Sequence, residues 1–310
     1  MIVIWLAKLI IAWPLTLALF LALTGFAIGA ILQVSAIITA VVIVYLLIRT
    51  CIDAPAPELA WLRTVAAFVA RGLPGIGTPT VTASPTPLPT AEGPCIYACH
   101  PHGYLAIAPL VHVLRGDISA ALVTTPLAAN FPGASVILKT LGIISSDRDS
   151  IRAALRAGRS VAVLVGGSRE AEATEAGKMT LCADRRGIFE IATETGVPIV
   201  PVLSYGENEA FAVWKPAGAW QDWLKRWLHF TVLLPHAADF WKLACNWGPK
   251  IDTYIGPAIS GPTQEAYREA FEALYEQTRP ASYGAAPITW ITRPVLPTRP
   301  VAASNSQQQK

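Results

Sequence analysis

Residues 1 to 48 carry a single charged side chain, Lys8, in a run otherwise made of aliphatic, aromatic and small residues. As one helix such a run would be about 72 Å long, more than twice the roughly 30 Å hydrocarbon thickness of a bilayer. The run is therefore read as a hairpin of two transmembrane helices over residues 1–50. The break falls near Gly25 and Gly29, and Pro14 kinks the first half. A hairpin returns Arg49 to the side on which the run began. The arginines that follow it, Arg63 and Arg71, place that side in the cytosol. A cleaved signal peptide fits less well, because the apolar stretch is far longer than a signal h-region. Charged residues make up 15% of the chain and the mean hydropathy is +0.44, which also point toward lipid contact.

Residues 51–94 read as a connector, with a Pro, Thr and Gly-rich linker, "GLPGIGTPTVTASPTPLPTAEGP", over 72–94. The body spans 95–284. It opens on a short apolar strand, and "SAALVTT" (119–125) and "SVAVLVGG" (160–167) read as further buried strands. "DSIRAALRAG" is a helix capped by Asp149 or Ser150 and stopped by Gly158. "DRRGIFEIATETG" is another, capped by Asp184 and ended by Gly196. "VPIVPVLSYGENE" then returns to strand. Alternating strands and helices predict an α/β fold with a mainly parallel or mixed sheet flanked by helices. Tyr267, Phe271, Leu274 and Tyr275 fall at i, i+4, i+7 and i+8, the core-facing stripe of an amphipathic helix. The chain is proline-rich from Pro280, and 285–310 is expected to be a disordered tail.

Between these parts, residues 214–247 hold Trp214, Trp220, Trp223, Trp227, Trp241 and Trp247, six of the ten tryptophans. Trp220, Trp223 and Trp227 are interleaved with Lys225 and Arg226. An indole joins a large apolar body to a polar N–H, which suits a bilayer interface, so this segment is expected to touch the membrane. A tryptophan-lined core is the alternative. The net charge of +3 is too small to argue for nucleic acid. The five cysteines form no CxxC pair, and their odd number argues against a disulfide framework.

Chemistry concentrates at "IYACHPHGYL", residues 96–105. His100 and His102 would share one face of a continuing strand, but Pro101 and Gly103 end it, so the imidazoles are displayed at a turn. Three roles compete. A metal pair would need further ligands, and only His112, His229 and His236 remain, in no recognisable pattern; no metal is expected. A structural pair is the second. In the third, one imidazole is a general base that its neighbour orients. "VGGSREAE" (165–172) follows a strand, and its glycines permit close backbone approach to a ligand. It lacks the Gly-Lys-Ser/Thr of a phosphate loop, and Glu170 replaces the last glycine of a GxSxG nucleophile elbow around Ser168.

The HPHG of residues 100–103 resembles the signature of the type-2 diacylglycerol acyltransferase family, which includes monoacylglycerol and wax-alcohol acyltransferases. "SDRDSI" (146–151), "GGSREA", "RRGIFEIA", "VPIVPVLSYGENE" and "GPTQEAY" resemble later blocks of that family in the same order. The spacing from Gly142 to Arg148 and the Gly167-Ser168-Arg169 core are also similar to the wider glycerolipid acyltransferases. The HxxxxD of that wider group is absent, since Leu105 and Ile107 stand where an aspartate would follow His100 or His102.

The resemblance implies acyl transfer from acyl-CoA to a lipid hydroxyl, most simply diacylglycerol to triacylglycerol, with no cofactor. The implied partners are acyl-CoA, a lipid acceptor and the bilayer; a homo-oligomer is compatible with the sequence. It also implies an integral membrane location, the endoplasmic reticulum in a eukaryote. A free alcohol is a poor nucleophile near neutral pH, and an imidazole, with an ordinary pKa of about 6.5, suits the base that it needs. His100 takes that role, with His102 as helper or alternative. Glu170 or Glu207 orients the ring. Gly103, Gly166 and Gly167 offer N–H groups to the oxyanion. Arg148 and Arg169 hold CoA phosphates or the acceptor's polar groups, and Asn208 completes the substrate-binding set. Two other classes stay open: a membrane-anchored lipase using Ser168, His229 or His236, and Asp222, and a non-catalytic lipid-binding scaffold.

Overall fold

A computed structural model describes residues 57–82, 93–101, 103–184, 186–214 and 234–292, together with Trp223 and scattered positions between 35 and 48. The expected hairpin at 1–50 lies almost wholly outside the described residues, as do Trp220, Trp227, His102 and His229. No described helix is long and apolar enough to cross a membrane.

The strands are β1 (Thr80–Val81), β2 (Ile96–His100), β3 (Ala121–Thr124), β4 (Ile144–Ser145), β5 (Val161–Leu164), β6 (Thr180–Leu181), β7 (Ile199–Tyr205), β8 (Val213–Trp214), β9 (Leu234–Pro235), β10 (Asp252–Ile255) and β11 (Thr289–Trp290). The helices are α1 (Trp61–Arg71), α2 (Ile107–Arg115), α3 (Pro126–Asn130), α4 (Ala134–Thr140), α5 (Arg148–Arg156), α6 (Gly167–Ala173), α7 (Arg186–Thr195), α8 (Ala237–Ala244) and α9 (Gln264–Thr278).

One seven-stranded sheet runs in the order β1-β10-β7-β2-β5-β3-β4. From β7 to β4 neighbouring strands are parallel, and β10 reverses against β7. The sheet is thus mostly parallel, as the strand and helix alternation predicts, with an antiparallel step on one side. Alternation sorts the side chains of the middle strand, β2, between two helix layers. Ile96 and Ala98 face α5, α7 and α9, whose Ile151, Leu155, Ile188, Ile191, Phe271 and Leu274 fill one core. Tyr97 and Cys99 face the other side, with Val200, Val202, Leu122 and Ile143. A third cluster joins α1, α2 and α8 through Ala70, Val111 and Leu243.

Three local expectations change. Helix α5 begins at Arg148, and its cap is Asp147, whose Oδ1 accepts from Ser150 N–H at 2.8 Å, rather than Asp149 or Ser150. Asp147 is the residue still in extended backbone, where a side chain can reach forward to the third amide. The first part of the expected linker is docked: Ile76 is buried, β1 pairs with β10, and the Arg115 guanidinium donates to four carbonyls, those of Ala70, Leu73, Ile76 and Gly77. Likewise the expected tail carries β11, which pairs with β6, over residues 289–290. Tertiary contacts give these proline-rich segments hydrogen-bond partners that composition does not reveal.

Candidate active site

After β3 and β4 the chain returns to β5 at one side of β2, then crosses to β7 at the other. In open α/β sheets such a reversal opens a crevice at the carboxyl ends of the strands. His100 ends β2, the Gly166–Gly167 turn follows β5, and Glu207 follows β7, so three neighbouring parallel strands deliver the predicted residues to one edge.

His100 shares the face of Ile96 and Ala98, beneath α9. Its Nδ1 lies 2.8 Å and 3.0 Å from the two carboxylate oxygens of Glu170. Its Nε2 lies 2.7 Å from the Tyr267 hydroxyl. The Phe271 ring packs edge-on at 5.0 Å. Glu170 Oε2 also accepts from Cys182 N–H at 2.9 Å, which fixes the carboxylate while it faces the imidazole. The sequence leads one to expect a ring displayed at a turn. The structure corrects that expectation: His100 is 0% exposed and both of its nitrogens are hydrogen-bonded inside the protein. Strand alternation is the cause, because it aims the last residue of β2 into the core under α9.

Gly166 makes the pair sterically feasible. A Cβ there would stand 2.5 Å from Glu170 Cβ and run into its carboxylate, so only hydrogen fits. Gly167 sits at φ 57°, and it opens the short helix that carries Glu170. Ser168 is exposed on the first turn of α6; of its partners in the lipase reading, His236 immediately precedes α8, and His229 and Asp222 lie outside the described residues.

Glu207 does not pair with His100. Its Oε1 accepts from the backbone N–H of Ala108, in the first turn of α2. Its Oε2 is buried without a hydrogen-bond partner among the described residues and would be 3.0 Å from a Cβ on Gly103. Gly103 (φ 54°) is thus required both by its backbone and by the crowding carboxylate. Burial pushes the Glu207 carboxyl up to about 7.

The remainder of GENE ties loops together. Asn208 donates to the Lys178 carbonyl at 2.8 Å, and Glu209 accepts from Gly177 N–H at 2.7 Å and from the Tyr283 hydroxyl at 3.1 Å. Arg148 forms an exposed ion pair with Glu190, while Arg169, partly buried beside Glu170, makes no ion pair among the described residues. His112, a spare ligand in the metal reading, is taken by Asp117 (3.0 Å) and Thr253 (2.9 Å), and burial lowers its pKa. Tyr267 is the site residue that the sequence reading missed. It was visible only as part of an apolar stripe, yet a tyrosine on a buried helix face must find a partner for its hydroxyl, and that was the available signal.

A buried histidine–carboxylate pair at the carboxyl edge of a mostly parallel sheet defines a candidate acid–base site in an α/β protein. The family model of diacylglycerol acyltransferase matches residues 89–263, more than half of the chain, including His100, Glu170 and Glu207 but not Tyr267 and Phe271 of α9. The chain belongs to the diacylglycerol acyltransferase family. Curated relatives include diacylglycerol O-acyltransferase 2B of Umbelopsis ramanniana, 28% identical over 60% of this chain and 64% of its own length. Diacylglycerol O-acyltransferase 2 of Xenopus tropicalis is 28% identical over 58% of this chain and 57% of its own length. Human 2-acylglycerol O-acyltransferase 1 is 28% identical over 59% and 63%. The matches span about three fifths of these relatives. Among solved structures, the 1-acyl-sn-glycerophosphate acyltransferase of Thermotoga maritima aligns at TM-score 0.44 and 15% identity, covering 78% of this chain and 90% of that one.

Proposed function

We propose that this chain is an acyl-CoA-dependent O-acyltransferase that esterifies a lipid hydroxyl, with diacylglycerol as the first acceptor to test and monoacylglycerol or a wax alcohol as the next. The observation that carries the reading is the His100–Glu170 pair, in which a fixed carboxylate faces Nδ1 and defines Nε2 as the basic nitrogen. Relatives named diacylglycerol and 2-acylglycerol O-acyltransferases support the choice of acceptor.

In the reaction, the acceptor oxygen attacks the thioester carbonyl as Nε2 takes its proton. Glu170 stabilises the imidazolium that forms. The oxyanion needs N–H donors, for which Gly103, Gly166 and Gly167 are the candidates. Collapse expels the thiolate, which recovers the proton from Nε2. Arg169 is the cation best placed to meet a CoA phosphate, and Arg148 the second. His102 stands as the alternative base, and Asn208 and Glu207 shape the wall of the site.

The membrane reading extends to the described surface. Trp61 and Phe68 on α1, and Trp241 and Trp247 on and just after α8, are more than half exposed, and Leu243 of α8 packs against Gly75, just beyond the end of α1. Exposed aromatic side chains of this kind suit a membrane interface, with residues 1–50 as the proposed anchor and the body on the cytosolic side.

The decisive experiment incubates purified protein with radiolabelled oleoyl-CoA and a mixture of diacylglycerol, monoacylglycerol and long-chain alcohol. A labelled neutral ester that is absent with His100→Ala supports the proposal. Release of free oleate alone, or full transfer by the variant, refutes it.

A further inference from the structure

With Nδ1 of His100 facing the Glu170 carboxylate, Nε2 is the nitrogen left to a substrate, and in this structure it already has a hydrogen-bond partner. The Tyr267 hydroxyl is 2.7 Å away, both groups are wholly buried, and Glu170 holds the other side of the ring. An alcohol approaching His100 therefore meets another alcohol already in the place that it must occupy. Burial raises the Tyr267 pKa well above its ordinary value, which keeps the phenol in its O–H form as a donor rather than as a proton carrier. The Phe189 and Phe271 rings pack on Tyr267 at 5.3 Å and 4.8 Å, so its direction is set by α7 and α9 rather than by solvent.

We propose that Tyr267 is a positioning residue that stands in for the acceptor: its hydroxyl holds His100 as the Nε2-acceptor tautomer in the empty enzyme and is exchanged for the acceptor's hydroxyl when the lipid binds. The proposal rests on the assignment of His100 as base. Before exchange the Tyr267 O–H donates to Nε2. After exchange the acceptor O–H donates to the same lone pair. During attack the acceptor's proton moves to Nε2 as its oxygen bonds the acyl carbon, and when the C–S bond breaks the proton leaves with the CoA thiol. Tyr267 keeps its own proton throughout. Its removal should therefore help the acceptor bind without slowing the chemistry, whereas a group that carried the proton would slow the chemistry when lost.

The test is the steady-state kinetics of full-length Tyr267→Phe in detergent micelles or bilayers, with diacylglycerol as the varied substrate. The expected result is an acceptor KM lowered by about 2- to 10-fold, the range of one modest hydrogen bond, with kcat within twofold of the parent. Replacing Tyr267 with 3-fluorotyrosine, which strengthens the phenol as donor and preserves its shape, should raise the acceptor KM. A loss of kcat at unchanged KM in Tyr267→Phe, or unchanged kcat and KM in both variants, overturns the proposal. If His100→Ala transfers acyl groups as well as the parent, the base assignment fails instead, and that outcome is read independently of Tyr267.

Discussion

His100 and Glu170 lie 70 positions apart in the chain, yet their side chains meet at 2.8 Å because β2 and β5 are adjacent parallel strands. Partners acting as a unit lose activity together. His100→Ala is expected to lower turnover by about 10²- to 10⁴-fold, and Glu170→Gln to lower it in the same direction. The double variant should be little worse than the poorer single one. Glu170→Gln also trades a carboxylate for an amide facing two N–H donors, at a stability cost of about 1–3 kcal/mol that a thermal melt can read.

Gly166→Ala tests the same pair without touching either member. Its Cβ would crowd Glu170 Cβ at 2.5 Å, a contact that rotation of the carboxylate cannot relieve. Activity should fall by at least about tenfold, as expected when a small displacement spoils catalytic geometry, while acyl-CoA binding measured by titration persists.

Stability should depend on pH through Glu207, whose carboxyl rises from an ordinary 4.5 to about 7 through burial. The folded chain then holds this proton more tightly than the unfolded chain, so the group's contribution to stability declines as pH climbs from about 4.5 to about 7 and is whole below that window. Glu207→Gln removes the dependence. Relative to the parent, the variant should gain up to about 3 kcal/mol between pH 4.5 and pH 8, followed by melts across that range. Parallel pH curves for the two proteins would contradict the assignment.

The guanidinium of Arg115 grips the segment 70–77 at four carbonyls. An ammonium cannot present that fork. Arg115→Lys is expected to cost about 2 kcal/mol or more and to make residues 72–82 cleavable by protease in the otherwise folded protein. Limited proteolysis with mass mapping checks this.

Trp241 and Trp247 are 70% and 79% exposed. If this face meets the bilayer, Trp241→Ser with Trp247→Ser should raise KM roughly fivefold for an acceptor presented in vesicles, the effect of losing about 1 kcal/mol of interfacial contact. Turnover of a short-chain, water-soluble acceptor should be unchanged. Equal effects on both acceptors would place these indoles elsewhere in the mechanism.

The strands around 96, 121, 161 and 199 are legible because each is a mainly apolar run between turn residues, with Val, Ile or Thr frequent in the last three. The strands β10, β1 and β11 are not. Asp252–Ile255 alternates weakly, and Thr80–Val81 and Thr289–Trp290 sit in proline-rich surroundings, so their pairing depends on partners far along the chain. His100, Glu170 and Glu207 stand out as chemistry at strand ends, but which acid meets which histidine depends on strand order. That order is set by packing of both sheet faces, which local pattern does not encode. Tyr267 hides within a helical stripe for the same reason: periodicity reports the face that a residue occupies, not the hydrogen bond waiting there.

Helix α2 is held at both ends, by Glu207 at its first turn and, through Arg115 at its last residue, by the segment that leaves α1. It follows the HPHG turn directly in sequence. Tension or tilt imposed on the chain ahead of Trp61 would thus be passed along a stiff rod to the backbone around Gly103.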